Sequence, residues 1–228
     1  MFANVGETPT TLSPELRAKL ERLSFPTLGH YLEEGFTDSG IRRQVGAGRV
    51  IGTAFTVRTT ATDSTMLHHG AGLIEAGQVM VIDTGGDVRH APLGEVVAAQ
   101  LVARGAAGAI VDGVVTDTDE IAELGLEVHA RGTSMLTTKL HGIDAGGVNI
   151  PVTVGGTAVR PGDVVLADAN GVLVVPLDVL EKIVDIALAD DAEEPELVAD
   201  LRAGKPLGSL TGASDTVAAL LAQSTPQD

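Results

Sequence analysis

The sequence predicts an α/β fold that ends in a small antiparallel β-section and helices. Three observations lead there. Val79 to Asp83, the alanine-rich segment Pro92 to Arg104 and the run Ala107 to Asp112 read as strand, helix and strand, a βαβ-like unit. The chain is 44% hydrophobic but only 2% aromatic, with no Trp and 28 Gly, so its core must be built from Val, Ile, Leu and Ala. Beyond Val148, Gly155-Gly156, Pro161-Gly162-Asp163 and Asn170-Gly171 punctuate short apolar runs, as in antiparallel hairpins.

Taken in order, residues 1–10 are polar and contain Pro and Gly, which predicts a tail. Ser13 before Pro14 is an N-cap with proline at the first helical position, and Leu16, Leu20 and Leu23 carry helical spacing. A second short helix is expected over 27–34, ended by Gly35. Arg49 to Thr59 reads as a strand. Asp63-Ser64 looks like the cap of a helix over 66–76. After the central unit, Asp117 is expected to cap a short helix over 118–124, and Leu126 to Ala130 reads as a strand. The hairpins bring strands near 150–154, 164–168 and 172–175. A helix from about Asp178 to Ala189, an acidic break over 190–194 and helices near 196–203 and 213–222 complete the reading. Together these predict one domain over 1–228, with the N-terminal tail at about 1–10 and a helical extension over about 178–228.

Charge and composition exclude several functions. The formal net charge is −16, which repels a polyphosphate backbone and argues against nucleic acid as a partner. No Cys is present, so no disulfide framework, thiolate metal site or thiol nucleophile is possible. No apolar run is long enough to span a membrane, and the first ten residues lack a signal core; a cytoplasmic protein is expected. A GxxxxGK[ST] phosphate loop and a GxSxG elbow are both absent.

The chemistry-bearing residues cluster at the expected carboxyl edge of the central unit, where open α/β folds place ligands. Glu95 stands at the start of one helix and Asp117 follows the next strand. Paired carboxylates suit Mg²⁺ or Mn²⁺, which take one or two carboxylates plus waters and substrate oxygens. The same two residues also suit plain helix-terminus roles, Glu95 through the dipole and Asp117 as a cap. Free N–H groups near Val96 and Val97 could bind a carboxylate. His68 and His69 are neighbours on a helix, pointing about 100° apart, and so are a poor shared metal site. Arg131, in the polar stretch His129 to Ser134, closes the set of candidates.

In combination the segments resemble the 4-hydroxy-4-methyl-2-oxoglutarate/4-carboxy-4-hydroxy-2-oxoadipate aldolase family, which includes the RraA regulators of ribonuclease activity. The resemblance rests on Thr56-Val57-Arg58 with Asp63-Ser64 and Leu67-His68, on Val81 to Asp87, Gly94 to Ala98, Gly108 to Val115, His129 to Ser134, Val148 to Val152 and Pro161 to Val172. It implies an RraA-like αββα sandwich, swivelling-domain-like, with C-terminal helices. The family's aldolases carry an acidic residue, twenty intervening residues, then Arg-Asp. Here Glu95 is the acidic residue and Asp117 the metal-binding Asp, but Thr116 stands where the family has Arg.

The resemblance implies a lyase of the class II pyruvate-aldolase type. A divalent ion on Asp117, and on Glu95 through water, would stabilise a pyruvyl enolate, with oxaloacetate decarboxylation as a side activity. Val96, Val97, Thr116, Arg131 and His68 would bind the 2-oxo acid. Glu95, Thr116 and Asp117 would form the catalytic set. A homotrimer or homohexamer is implied, with a further acid, Glu193, Glu194 or Glu196, reaching a neighbouring subunit. Two other readings stay open: a non-catalytic RraA-type regulator that binds a protein partner, and a different lyase or hydrolase on the same site.

Overall fold

The computed structural model describes residues 4–143 and 145–223. Its elements in order are β1 (Asn4–Val5), α1 (Pro14–Arg22), a 3-10 helix (Phe25–His30), β2 (Arg42–Val45), β3 (Val50–Arg58), α2 (Thr65–Ala71), β4 (Gln78–Asp83), α3 (Glu95–Ala103), β5 (Gly108–Val115), α4 (Thr118–Leu124) and β6 (Val128–Thr133). There follow β7 (Gly147–Val148), β8 (Val152–Val154), β9 (Thr157–Val159), β10 (Val164–Asp168), β11 (Gly171–Val175), α5 (Leu177–Arg202), α6 (Leu207–Leu210) and α7 (Ala213–Gln223). None of the helices among the described residues is long and apolar enough to cross a membrane.

The strands β3, β4, β5 and β6 run parallel, in that order, so their carboxyl ends share one edge. β2 closes the far side antiparallel to β6. At the other side β3 is shared: its first half pairs with β10, its last two residues with β7. β8 and β9 form a separate two-stranded sheet.

Packing makes four layers, α, β, β and α. On one face of the central strands, Phe55, Val57, Met80, Ile82 and Val111 bury against Leu67 of α2, Val97 and Leu101 of α3, and Ile121 of α4. On the other face Ala54, Val79, Val81 and Ile110 meet Val152, Val154 and Val159 together with Val165, Ala167, Val172 and Val174. The alternate residues of β10 and β11, Val164, Leu166, Leu173 and Val175, point outward onto α1, the 3-10 helix and α5. The period-2 alternation of these two strands is what lets one hairpin serve two cores.

Two buried carboxylates hold the hairpin layer to the central strands. Asp83 and Asp112 are cross-strand neighbours on β4 and β5. Asp83 takes the Arg58 guanidinium at 2.9 Å and the Thr153 N–H at 3.2 Å. Asp112 takes Arg131 Nε at 2.5 Å and the Gly155 N–H at 2.8 Å. Gly155 and Gly156 both have positive φ, the geometry that a two-residue hairpin turn demands.

Several expected boundaries move, each for a tertiary reason. Within the segment read as a tail, Asn4 and Val5 pair with β7; residues 1–3 lie outside the described residues. The second helix is a 3-10 turn over 25–30, not an α-helix over 27–34. α2 closes at Ala71 rather than Ala76, because Gly72 and Leu73 turn back onto the carbonyls three residues earlier. α3 starts at Glu95 rather than Pro92, because Ala91 and Leu93 are held extended by bridges to Thr137 and Val115. β5 runs past Asp112 to Val115, where β6 continues to offer partners. β2, the charged edge strand Arg42–Val45, has no alternation to announce it.

The largest correction concerns 190–194, expected to break the chain. α5 runs through it for 26 residues, with Pro195 inside the helix. Asp190 accepts the Tyr31 hydroxyl, and Asp191 accepts the Ser24 N–H and the Thr27 hydroxyl. These contacts fix the acidic turn on the 3-10 helix, where local sequence alone leaves it solvated.

Candidate active site

The candidate residues converge where β5 ends and α3 begins. Thr116 and Asp117 leave β5 directly, and the Thr116 N–H is tied to Leu93 O at 3.1 Å. Asp117 then adopts a left-handed conformation, φ 54° and ψ 42°. Asp tolerates that region better than most residues. The turn has an unexpected result. Asp117 makes no side-chain cap to its own helix α4. Its Oδ2 instead accepts the backbone N–H of Glu95 at 3.0 Å, capping α3 across the sheet edge. Its Oδ1 accepts the Thr116 hydroxyl at 2.9 Å.

Gly94 makes this approach possible. A Cβ there would lie 2.5 Å from Asp117 Oδ2 and 2.8 Å from Thr116 Cγ2. The sequence needs glycine at this position for space rather than for φ, which is −138°.

A cleft of about 220 Å³ opens beside this junction. His68 of α2, Val96, Val97, Thr116 and Asp117 all line it. As second and third residues of α3, Val96 and Val97 carry amides without acceptors inside the helix, at its electropositive end. Val97 is buried, whereas Val96 is 76% exposed at the rim.

Two expected members stand apart. Arg131 does not line the cleft. Its guanidinium is committed to Asp112 and, at 3.4 Å, to Asp38; burial disfavours its charge, but the two carboxylates outweigh burial and keep it protonated. The side chain of Glu95 is exposed and also falls outside the cleft lining; the contribution of Glu95 seen here is its backbone N–H. Glu193, Glu194 and Glu196 are exposed on α5, and none lines the cleft of its own chain.

Ser64, Thr138 and Lys139, which sequence reasoning did not place at the site, also line the cleft. Among the described residues, Lys139 is the one lysine or arginine lining the cleft. Its ammonium donates to Thr137 O and Oγ1, both at 3.2 Å. The Thr138 hydroxyl donates to Ser64 Oγ at 2.9 Å. The stretch 134–140 has neither helical nor strand periodicity, so nothing marked it except a lysine in a strongly acidic chain.

These residues fit a divalent cation of the oxygen-preferring kind. Each Asp117 oxygen accepts one of these hydrogen bonds, and a carboxylate offers about four lone-pair sites. No group of three His, Asp or Glu able to hold a metal gathers among the described residues, and Asp117 is the carboxylate that lines this cleft. That suits Mg²⁺ or Mn²⁺, which fill the remaining positions with water and substrate oxygens.

Comparison with known proteins places this geometry in context. A family profile described as RraA-like, Aldolase/RraA, matches residues 27–174, which include every cleft residue named above. A protein of Halalkalibacterium halodurans named as a candidate 4-hydroxy-4-methyl-2-oxoglutarate aldolase is 33% identical over 155 residues, 67% of this chain and 73% of its own. One from Azotobacter vinelandii with the same name is 34% identical over 153 residues, 67% of this chain and 90% of its own. Among solved structures, the RNA-processing inhibitor RraA from Thermus superposes with a TM-score of 0.60 at 30% identity, over 66% of this chain and 90% of that one. Streptomyces coelicolor RraAS2, described as an unusual member of the RNase ES inhibitor RraA family, gives 0.70 at 27% identity, over 85% and 98%.

Proposed function

The chain belongs to the RraA-like family of aldolases and RraA proteins, and from that membership we propose that it is a divalent-metal-dependent lyase that cleaves a carbon–carbon bond in a small 2-oxo acid. The observation that carries the reading is the convergence of Asp117, of Val96 and Val97 with their open amides, and of Lys139 on one small cleft. An anionic substrate needs donors and a cation, and a class II aldolase needs a carboxylate for its metal. All of these occur within this one chain.

Each residue then has a task. The Val96 and Val97 amides, at the positive end of α3, bind the carboxylate next to the 2-oxo group. Lys139 offsets a second negative charge on the substrate. Thr116 and His68 add polar contacts along the wall. Asp117, with Glu95 acting through water, holds Mg²⁺ or Mn²⁺, which when bound supplies Lewis-acid polarisation of the 2-oxo group. Asp117 is kept oriented for that task by the Glu95 N–H and the Thr116 hydroxyl. In 4-hydroxy-4-methyl-2-oxoglutarate, the C4 hydroxyl gives its proton to water and becomes the carbonyl of one pyruvate, the C3–C4 bond breaks, and its electron pair passes to the other pyruvyl fragment, which takes a proton from water at C3. Oxaloacetate loses carbon dioxide to the same fragment, so decarboxylation belongs to the proposal.

Thr116 gives one specific observation in favour of a second reading, a non-catalytic regulator of the RraA kind. A neutral hydroxyl there cannot supply the bidentate charge of a guanidinium. The deciding experiment measures pyruvate release from 4-hydroxy-4-methyl-2-oxoglutarate and from oxaloacetate with Mg²⁺ or Mn²⁺. Turnover abolished by chelation and by Asp117→Asn is expected. A wild-type chain that releases no pyruvate from either compound sinks the lyase reading.

A further inference from the structure

Lys139 presents a physical problem that the cleft must solve. A lysine side chain is long and flexible, and this one is exposed on a segment without regular helix or strand. An ammonium contributes to anion binding only if its backbone is fixed where the anion sits. The groups that fix it precede and open α2. Asp63, 4% exposed, precedes α2 and spends its two oxygens on two different segments. Oδ1 accepts the Thr65 N–H at 2.7 Å, at the start of α2. Oδ2 accepts the His141 N–H at 2.5 Å and the Ile143 N–H at 3.4 Å, just past Lys139.

The residues flanking Asp63 hold Lys139 itself. Lys139 N–H donates to Thr62 O at 2.9 Å, and Ser64 N–H donates to Lys139 O at 3.0 Å. Burial pushes the Asp63 carboxyl up, but the N–H groups of Thr65, His141 and Ile143 outweigh it and hold it below the usual range. A plain α2 cap would need only the Thr65 contact.

We infer that Asp63 is a positioning residue: its carboxylate clamps the 139–143 segment to the start of α2 and thereby places the Lys139 ammonium to receive the substrate's anionic group. This rests on the lyase reading for the identity of the substrate, though the anion site can be probed without turnover. The clamp works through both oxygens, so Asp63→Asn, which replaces one acceptor with a donor, releases one arm while keeping size and shape.

The test is a double-mutant cycle on the full chain with magnesium present, using Asp63→Asn, Lys139→Met and the pair. Oxalate binding is read by calorimetry, alongside KM and kcat for oxaloacetate. Each single variant should weaken oxalate by about tenfold, the worth of one charge-assisted hydrogen bond, and raise KM more than it lowers kcat. The pair should be no weaker than Lys139→Met alone. Losses that simply add, or an Asp63→Asn variant with a lowered melting temperature and unchanged oxalate affinity, would overturn the clamp. So would a wild-type chain that binds no oxalate. If oxalate binding shows the predicted cycle while no pyruvate is released, the clamp stands and the lyase reading falls.

Discussion

The carboxylate of Asp117 caps the helix that begins at Glu95, through a 3.0 Å bond between residues 22 apart. One hydrogen bond thus joins the end of β5 to the start of α3 and orients the acid that the proposed chemistry depends on. Gly94 leaves room for it, and the left-handed turn at Asp117 directs it.

Gly94→Ala tests that junction. The added methyl would sit 2.5 Å from Asp117 Oδ2, against an oxygen and the Thr116 side chain, so the carboxylate must shift. Pyruvate release should fall by about 10²-fold, as small misplacements of catalytic groups do, with far-ultraviolet circular dichroism unchanged. Retained activity would show that the orientation of Asp117 does not limit the reaction.

Thr116→Arg restores a permanent, bidentate charge at the cleft wall. It should raise kcat/KM for oxaloacetate by about 10² to 10³, by analogy with donors at a developing oxyanion. An unchanged rate would mean that Lys139 already supplies the charge compensation, and that the resemblance misplaces the role of position 116.

Asp112→Ala should destabilise the fold by about 3 kcal/mol, in the range for removing one partner of a buried ion pair. The loss would leave the Gly155 N–H without its acceptor, leave the Arg131 guanidinium only its 3.4 Å contact with Asp38, and free the β8–β9 hairpin from β5. Urea unfolding measures it. A change under 1 kcal/mol, the level of a surface pair, would show the hairpin is held by its valines alone.

His129 predicts a pH dependence. The ring is fully buried, its Nε2 lies 2.8 Å from Asp168 O, and its Nδ1 has no partner among the described residues. Burial lowers its pKa below the ordinary histidine value, against the opposing pull of the Asp168 carbonyl. The unfolded chain therefore takes up the proton first. Stability is fully present above the unfolded histidine pKa, about 6.5, and is lost as pH falls from there toward the folded value. The urea midpoint should be lower at pH 5.5 than at pH 7.5, and less so in His129→Gln. Equal pH sensitivity in both proteins would assign the effect to other groups.

Much of this molecule is legible in the linear sequence. Ser13-Pro14 opens α1, the run from Val79 ends at Asp83, and Asn170-Gly171 turns β10 into β11, because caps, periods and turn residues act over a few positions. The resemblance likewise pairs Glu95 with Asp117, through their carboxylates; the contact seen in the fold runs from the Glu95 backbone N–H to the Asp117 carboxylate. What the sequence could not determine are relations set by sheet register and packing. The acidic turn of α5 stays helical because Tyr31, Ser24 and Thr27 meet it from more than a hundred residues away. Arg131, a candidate for the substrate, is drawn instead to Asp112 by the pairing of β5 with β6. Lys139 lines the cleft on a segment bonded to Thr62, Asp63 and Ser64, more than seventy residues earlier. Local propensity fixes where strands and helices form; only the folded chain brings distant donors and carboxylates within the 3 Å or so at which a hydrogen bond acts.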